Sequence, residues 1–140
     1  MESYGTHFAS FLIGVAVGAA GHYFGAKYTD RRREGEALRA EEKRFHDLEV
    51  RMPALFREMR SDLKADETGA VREFFVLPSP GVQIAMSSKR RFRYDETAHV
   101  GLRECVDLLI DAGFVEDVTL NSAPMFRMSE QFVSALLAHA

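Results

Sequence analysis

The chain has 140 residues, of which 28% are charged, and a formal net charge of −3. This length allows one modest globular domain with an anchor and excludes two ordinary domains. Residues 53 to 140 contain ten bases and thirteen acids, so the net charge lies in this C-terminal part. A mildly acidic domain is not typical of nucleic-acid-binding proteins, which usually carry a basic face. Cys105 is the only cysteine, which excludes an internal disulfide.

An uncharged run predicts a transmembrane helix within residues 1 to 29. Residues 8 to 26 read FASFLIGVAVGAAGHYFGA and, as a helix, would extend about 28 Å, close to the hydrocarbon thickness of a bilayer. The bases that follow this run favour a cytoplasmic C-terminal side and an outer N-terminus; they are Lys27, Arg31, Arg32 and Arg33. We therefore expect a single-pass protein of the inner (cytoplasmic) membrane. A cleaved signal peptide and a buried or interfacial helix are the alternatives.

Glycines recur along one face of this predicted helix, at Gly14, Gly18, Gly21 and Gly25. Small residues let membrane helices approach closely, so the stripe favours a homo-oligomer or docking against another membrane helix. The alternative is that glycine is simply common in membrane helices. The stripe resembles the glycine-zipper anchors of small bacterial envelope proteins, a resemblance that implies assembly and no activity.

Residues 30 to 52 contain seven acids and seven bases and predict a charged helical stalk. Leu38, Phe45, Leu48 and Met52 have heptad-like spacing, which predicts a short coiled coil, although Glu41 interrupts the seam. The alternative is a single exposed helix that acts as a spacer. The three arginines of residues 31 to 33 would lie at anionic headgroups and fix the topology.

Residues 53 to 140 predict a small α+β domain. Pro53 begins an amphipathic helix, and residues 71 to 77 read as a strand. Residues 82 to 86 and 90 to 94 predict a β-hairpin. A helix that bears Leu102, Val106, Leu109 and Ile110 follows, then strands at residues 114 to 120 and 125 to 127, and a last helix capped by Ser129.

The order helix, strand, turn, strand, helix over residues 96 to 140 resembles the second half of winged-helix domains. The whole chain is also similar to small uncharacterised bacterial proteins that join a membrane helix to such a module. This resemblance implies a winged-helix-like fold and no established activity. Winged helices often bind DNA through the helix before the wing. Here that helix carries Glu104, Asp107 and Asp111, which would repel phosphate.

One basic cluster interrupts the acidic domain: Lys89, Arg90, Arg91 and Arg93. Alternation along a strand would place Arg91 and Arg93 on one face and Phe92 and Tyr94 on the other. The basic face could contact nucleic acid or acidic headgroups. The alternative is a solvated outer face over a packed inner one.

The sequence shows no catalytic or metal-binding pattern. The five histidines have no paired ligand spacing, and Cys105 is predicted to be a small buried side chain rather than a nucleophile. We expect no enzyme activity and no cofactor. The leading hypothesis is a non-enzymatic, membrane-tethered protein-interaction module that binds through its acidic helix or its hairpin. The expected partners are the bilayer, further copies through the anchor and an unknown protein. The alternative is a membrane-tethered DNA-binding regulator that uses the basic cluster.

Overall fold

A computed structural model describes residues 3 to 84 and 89 to 139, with side chains from residue 25 onward. Within these ranges the chain forms four helices and one four-stranded mixed sheet, which confirms the predicted α+β class. The elements in chain order are α1 (Ser3–Arg51), α2 (Pro53–Ala65), β1 (Glu73–Leu77), β2 (Phe92–Asp95), α3 (Leu102–Asp111), β3 (Val115–Asp117), β4 (Met125–Met128) and α4 (Glu130–Ala138).

The chain divides into two compact units, Met1–Glu42 and Lys43–Ala140. In the first unit the described side chains of α1 are largely exposed, and Arg32 forms an ion pair with Glu36 one turn later. Within the described part of the chain, no helix combines the length and the apolar character needed to cross a membrane.

In the second unit the last turns of α1 are part of the hydrophobic core. Phe45 and Leu48 are buried, and the ring of Phe45 makes edge-on contacts with Phe56, Phe114 and Phe132 at centroid distances of 5.4, 6.1 and 6.0 Å. These two apolar positions of the expected coiled-coil seam therefore pack inside one chain. Apolar residues spaced three and four apart are typical both of a helix that faces its own core and of a coiled coil. The sequence alone therefore could not distinguish these two structures.

The strand order is β2-β1-β4-β3, with β1 and β2 parallel and the other two pairs antiparallel. The predicted hairpin of residues 114 to 127 is present as β3 and β4. The predicted hairpin of residues 82 to 94 is wrong: residues 82 to 84 form no strand, residues 85 to 88 lie outside the described ranges, and β2 pairs with β1. The parallel register places Phe92 beside Phe74 and Tyr94 beside Val76, so the aromatic side of β2 joins the core.

The helices pack on one face of the sheet. This inner face presents Phe74, Val76, Tyr94, Phe126 and Met128 to the core that the helices share. Because side chains alternate along a strand, the opposite face carries the intervening residues. We call this opposite side the outer face; it includes Glu73, Phe75, Leu77, Arg93, Glu116, Met125 and Arg127. The candidate site lies there.

Candidate binding groove

The outer face contains an open groove of about 800 Å³. Three strand residues, Phe75, Leu77 and Met125, line it together with Val76. The rest of the lining is Pro78, residues 82 to 84, residues 120 to 124, Arg91, and Arg103 of α3. The segment of residues 120 to 125 is attached to the sheet by the Val76 amide, which donates to the Pro124 carbonyl at 3.1 Å. An apolar lining that carries a few polar groups is typical of a binding site.

Arg91 is one of two arginines that line the groove; the other is Arg103. The side chain of Arg91 is largely buried, and its guanidinium lies over the ring of Phe75, 5.6 Å from the centroid. The Nε of Arg91 donates to Oε2 of Glu73 at 2.8 Å. The cation is therefore held by a ring on one side and a carboxylate on the other, which fixes its position at the groove.

Glu73 is the centre of a basic cluster. Its side chain is 7% exposed. The carboxylate accepts from Lys89 Nζ at 3.2 Å and Arg127 Nη2 at 3.0 Å, in addition to Arg91. The hydrogen bond from Arg91 is the largest cause that lowers the pKa of Glu73, which is about 2. Glu73 is ionised at neutral pH, and three cations share its single charge. We call Glu73, Lys89, Arg91 and Arg127 the Glu73 cluster.

The structure separates the four bases that the sequence grouped. Lys89 and Arg91 belong to the Glu73 cluster, whereas Arg90 and Arg93 are exposed and form no ion pair with any residue in the described ranges. Arg127 was missed because it lies far along the chain from the other bases. Its cross-strand register with Glu73 places it in the cluster, and only the pairing of β1 with β4 reveals this.

The remaining sites predicted from the sequence lie in the first unit. Gly14, Gly18 and Gly21 belong to α1, but their surroundings lie outside the described part of the chain. A Cβ on Gly25 would meet nothing within 4 Å among the described atoms. The arginines predicted to fix the topology, Arg31, Arg32 and Arg33, are all exposed.

The exposed side of α3 is acidic. Glu104, Asp107 and Asp111 are solvent-exposed, and Leu108 among them is 37% exposed. The basic Arg103 forms an ion pair with Glu96, so it is partly neutralised. The buried side of α3 carries Cys105, whose thiol pKa is raised to about 11 by burial. This thiol is protonated at neutral pH, as predicted for a structural cysteine.

A second polar cluster joins α2 to the segment between β2 and α3. The hydroxyl of Tyr94 donates to Asp62 Oδ2 at 3.1 Å, and the buried His99 contacts Glu58 through Nε2. Burial is the largest cause that raises the pKa of Asp62, and it also raises the pKa of Tyr94. Among the described residues no buried side-chain nitrogen or oxygen lacks a hydrogen-bond partner, so we assign this cluster to the packing of α2 against β2.

The described side chains include no group of three or more histidines, cysteines or carboxylates that could hold a metal ion. Searches with the sequence and the structure match no protein-family model, no curated protein and no solved structure.

Proposed function

We propose that this chain is a non-enzymatic, membrane-tethered protein-interaction module whose docking surface is the groove on the outer face. The proposal rests on an open groove that combines an apolar lining with the anchored Arg91 guanidinium. Such a combination is common in protein interfaces, because an apolar centre contributes affinity and a fixed arginine orients the bound partner.

The tether in this proposal is the uncharged run of residues 8 to 26, with the three arginines of residues 31 to 33 on its cytoplasmic side. Its support is the sequence: the length of the run, its lack of formal charge and the bases that follow. We also propose that the glycine face allows anchors to associate in the bilayer.

The winged-helix resemblance enters the proposal as the scaffold of the groove. Supporting it, α3 precedes the β3–β4 hairpin and β4 pairs with β1. A departure is β2, which extends the sheet in parallel beside β1. Because β2 belongs to the sheet edge that carries Arg93, this departure places a basic edge next to the groove.

The second candidate function is a membrane-tethered DNA-binding regulator. The exposed Arg90 and Arg93 favour it, since exposed bases make phosphate contacts. Two observations weigh against it: Lys89, Arg91 and Arg127 already bind Glu73, and the exposed side of α3 is acidic.

Salt-dependent retention on immobilised duplex DNA separates the two candidates. We expect the full chain in detergent to show at most weak retention, with a slope of log affinity against log salt of about −2 or shallower, since only Arg90 and Arg93 of the basic cluster form no ion pair in the described ranges. The double variant Arg90→Ala, Arg93→Ala should lose that residual retention, whereas the exposed control Arg57→Ala should keep it.

A DNA-binding regulator would give a different result. Retention would be strong at low salt, and the slope would be about −4 or steeper, because the whole basic cluster would contact phosphates. That slope in the full chain would replace the protein-interaction proposal with the regulator.

A further inference from the structure

The β2 edge of the outer face and the exposed side of α3 carry opposite charges. On the outer face Glu73 pairs with three bases, Lys89, Arg91 and Arg127. The exposed Arg90 and Arg93 lie next to and within β2. The acid Glu116 shares the outer face but lies on β3, at the opposite edge of the sheet. Positive charge is therefore concentrated at one edge. The exposed side of α3 carries three carboxylates, so each surface has what the other would attract.

The two surfaces also match in apolar character and size. Leu108 lies among the carboxylates of α3 and is 37% exposed, and the groove offers Phe75 and Met125 to receive an apolar side chain. A helix as long as α3 extends about 15 Å, and four adjacent strands span about 14 Å. An amphipathic helix laid into an apolar groove is a recurring mode of protein recognition.

We propose that the occupant of the groove is α3 of a second copy of this chain, with Leu108 over the groove and the carboxylates towards the β2 edge. This inference rests on the proposed function, because it names the partner of the same groove. The contact is heterologous: each copy gives its helix to one neighbour and its groove to another. Such contacts grow beyond dimers, and tethering to one membrane would raise the local concentration that favours them.

Charge reversal tests this contact without disturbing the core, because Asp107 and Arg93 are both exposed. The full chain, in an excess of detergent micelles, is examined by sedimentation velocity at low and high salt. We expect wild-type protein to associate at low salt. Asp107→Arg alone and Arg93→Glu alone should each weaken association at least about tenfold, because each sets like charges against one another.

The decisive sample is an equimolar mixture of the two variants. In the mixture, the reversed helix of one variant meets the reversed β2 edge of the other, and the unaltered helix meets the unaltered β2 edge. Association should therefore return to near the wild-type level. The controls Glu67→Arg and Arg57→Glu reverse exposed charges that lie neither in the groove nor on α3, and they should associate as the wild type does.

Two results would overturn the proposal. Both single variants could associate as strongly as the wild type, which would assign association to the anchors. Alternatively, the mixture could remain as single copies, which would show that helix and groove do not meet. Either result leaves the DNA-retention experiment unaffected, so a failed self-association can be told apart from a failed protein-interaction function.

Discussion

At the scale of single residues, Glu73 organises the site. Its carboxylate is nearly inaccessible to solvent, and it holds Arg91 in place over Phe75. A buried carboxylate with three cationic partners is strongly coupled to its surroundings, because removing it leaves like charges close together. The position of Arg91, and with it the polar character of the groove, therefore depends on Glu73.

We expect Glu73→Gln to lower the free energy of unfolding by about 2–3 kcal/mol at neutral pH, because a neutral amide leaves the cations without their counter-charge. The folded-state pKa of Glu73, about 2, lies below its ordinary value of 4.5, so its ionic contribution is present above pH 4.5 and is lost as pH falls towards 2. The difference between wild type and variant should shrink over that range. Urea unfolding followed by circular dichroism measures it.

The exposed Glu67→Gln is the matched control for this prediction, and it should change stability by less than about 0.5 kcal/mol. A difference between Glu73→Gln and wild type that stayed constant from neutral pH to pH 3 would show that the charge of Glu73 does not hold the cluster.

The sequence identified part of this site and could not identify the rest. Four bases lie within five positions of the sequence, so Lys89 and Arg91 could be predicted as part of a basic cluster. Glu73 and Arg127 were not, because an acid in a strand looks like any solvated residue until its neighbours are known. Cross-strand register brings them together, and register depends on the fold of the whole sheet rather than on local pattern.

At the scale of elements, the C-terminal end of α1 belongs to the domain. Helix periodicity predicted a helix there, and the helix is present. Its partner was not predictable, because a stripe of Phe45 and Leu48 fits either a second helix of another copy or the core of its own domain. The aromatic contacts of Phe45 with rings from α2 and α4 resolve this choice in favour of the domain.

Phe45→Ala should therefore destabilise the domain by about 3–5 kcal/mol, the usual effect of removing a buried ring. Val50→Ala, at a position 65% exposed on the same helix, is the control and should cost less than about 0.5 kcal/mol. Chemical denaturation of both variants measures the comparison. Equal midpoints would mean that Phe45 is not in the core, and a midpoint that rises with protein concentration would indicate pairing between copies.

Strand β2 shows the same limit at the level of pairing. Aromatic and basic residues alternate in it, and this alternation correctly separates the inner Phe92 and Tyr94 from the outer Arg93. Alternation does not specify the neighbouring strand. The nearest candidate along the chain would have given a hairpin, but pairing with β1 places both aromatic rings in the existing core, which buries more apolar surface.

At the scale of the whole molecule, the proposed membrane tether precedes a domain with a polarised surface. The helices cover one side of the sheet and leave the other side open as the groove. The surface charge is unevenly distributed, because bases lie at the β2 edge and acids lie on the exposed side of α3. A tethered domain with these features is suited to gather other proteins, its own copies included, at a membrane surface.

Photo-crosslinking on alkaline-washed membranes, from cells that produce the full chain, tests membrane tethering and protein binding at the groove together. A photoreactive residue replaces Leu120, which lines the groove and is 85% exposed, or Val50 as the exposed control outside the groove. We expect the chain to stay with the washed membranes, and we expect position 120, unlike position 50, to form protein adducts that Arg93→Glu abolishes. A chain that washes off the membranes, or position 120 yielding adducts only with nucleic acid or none at all, would contradict the proposed function.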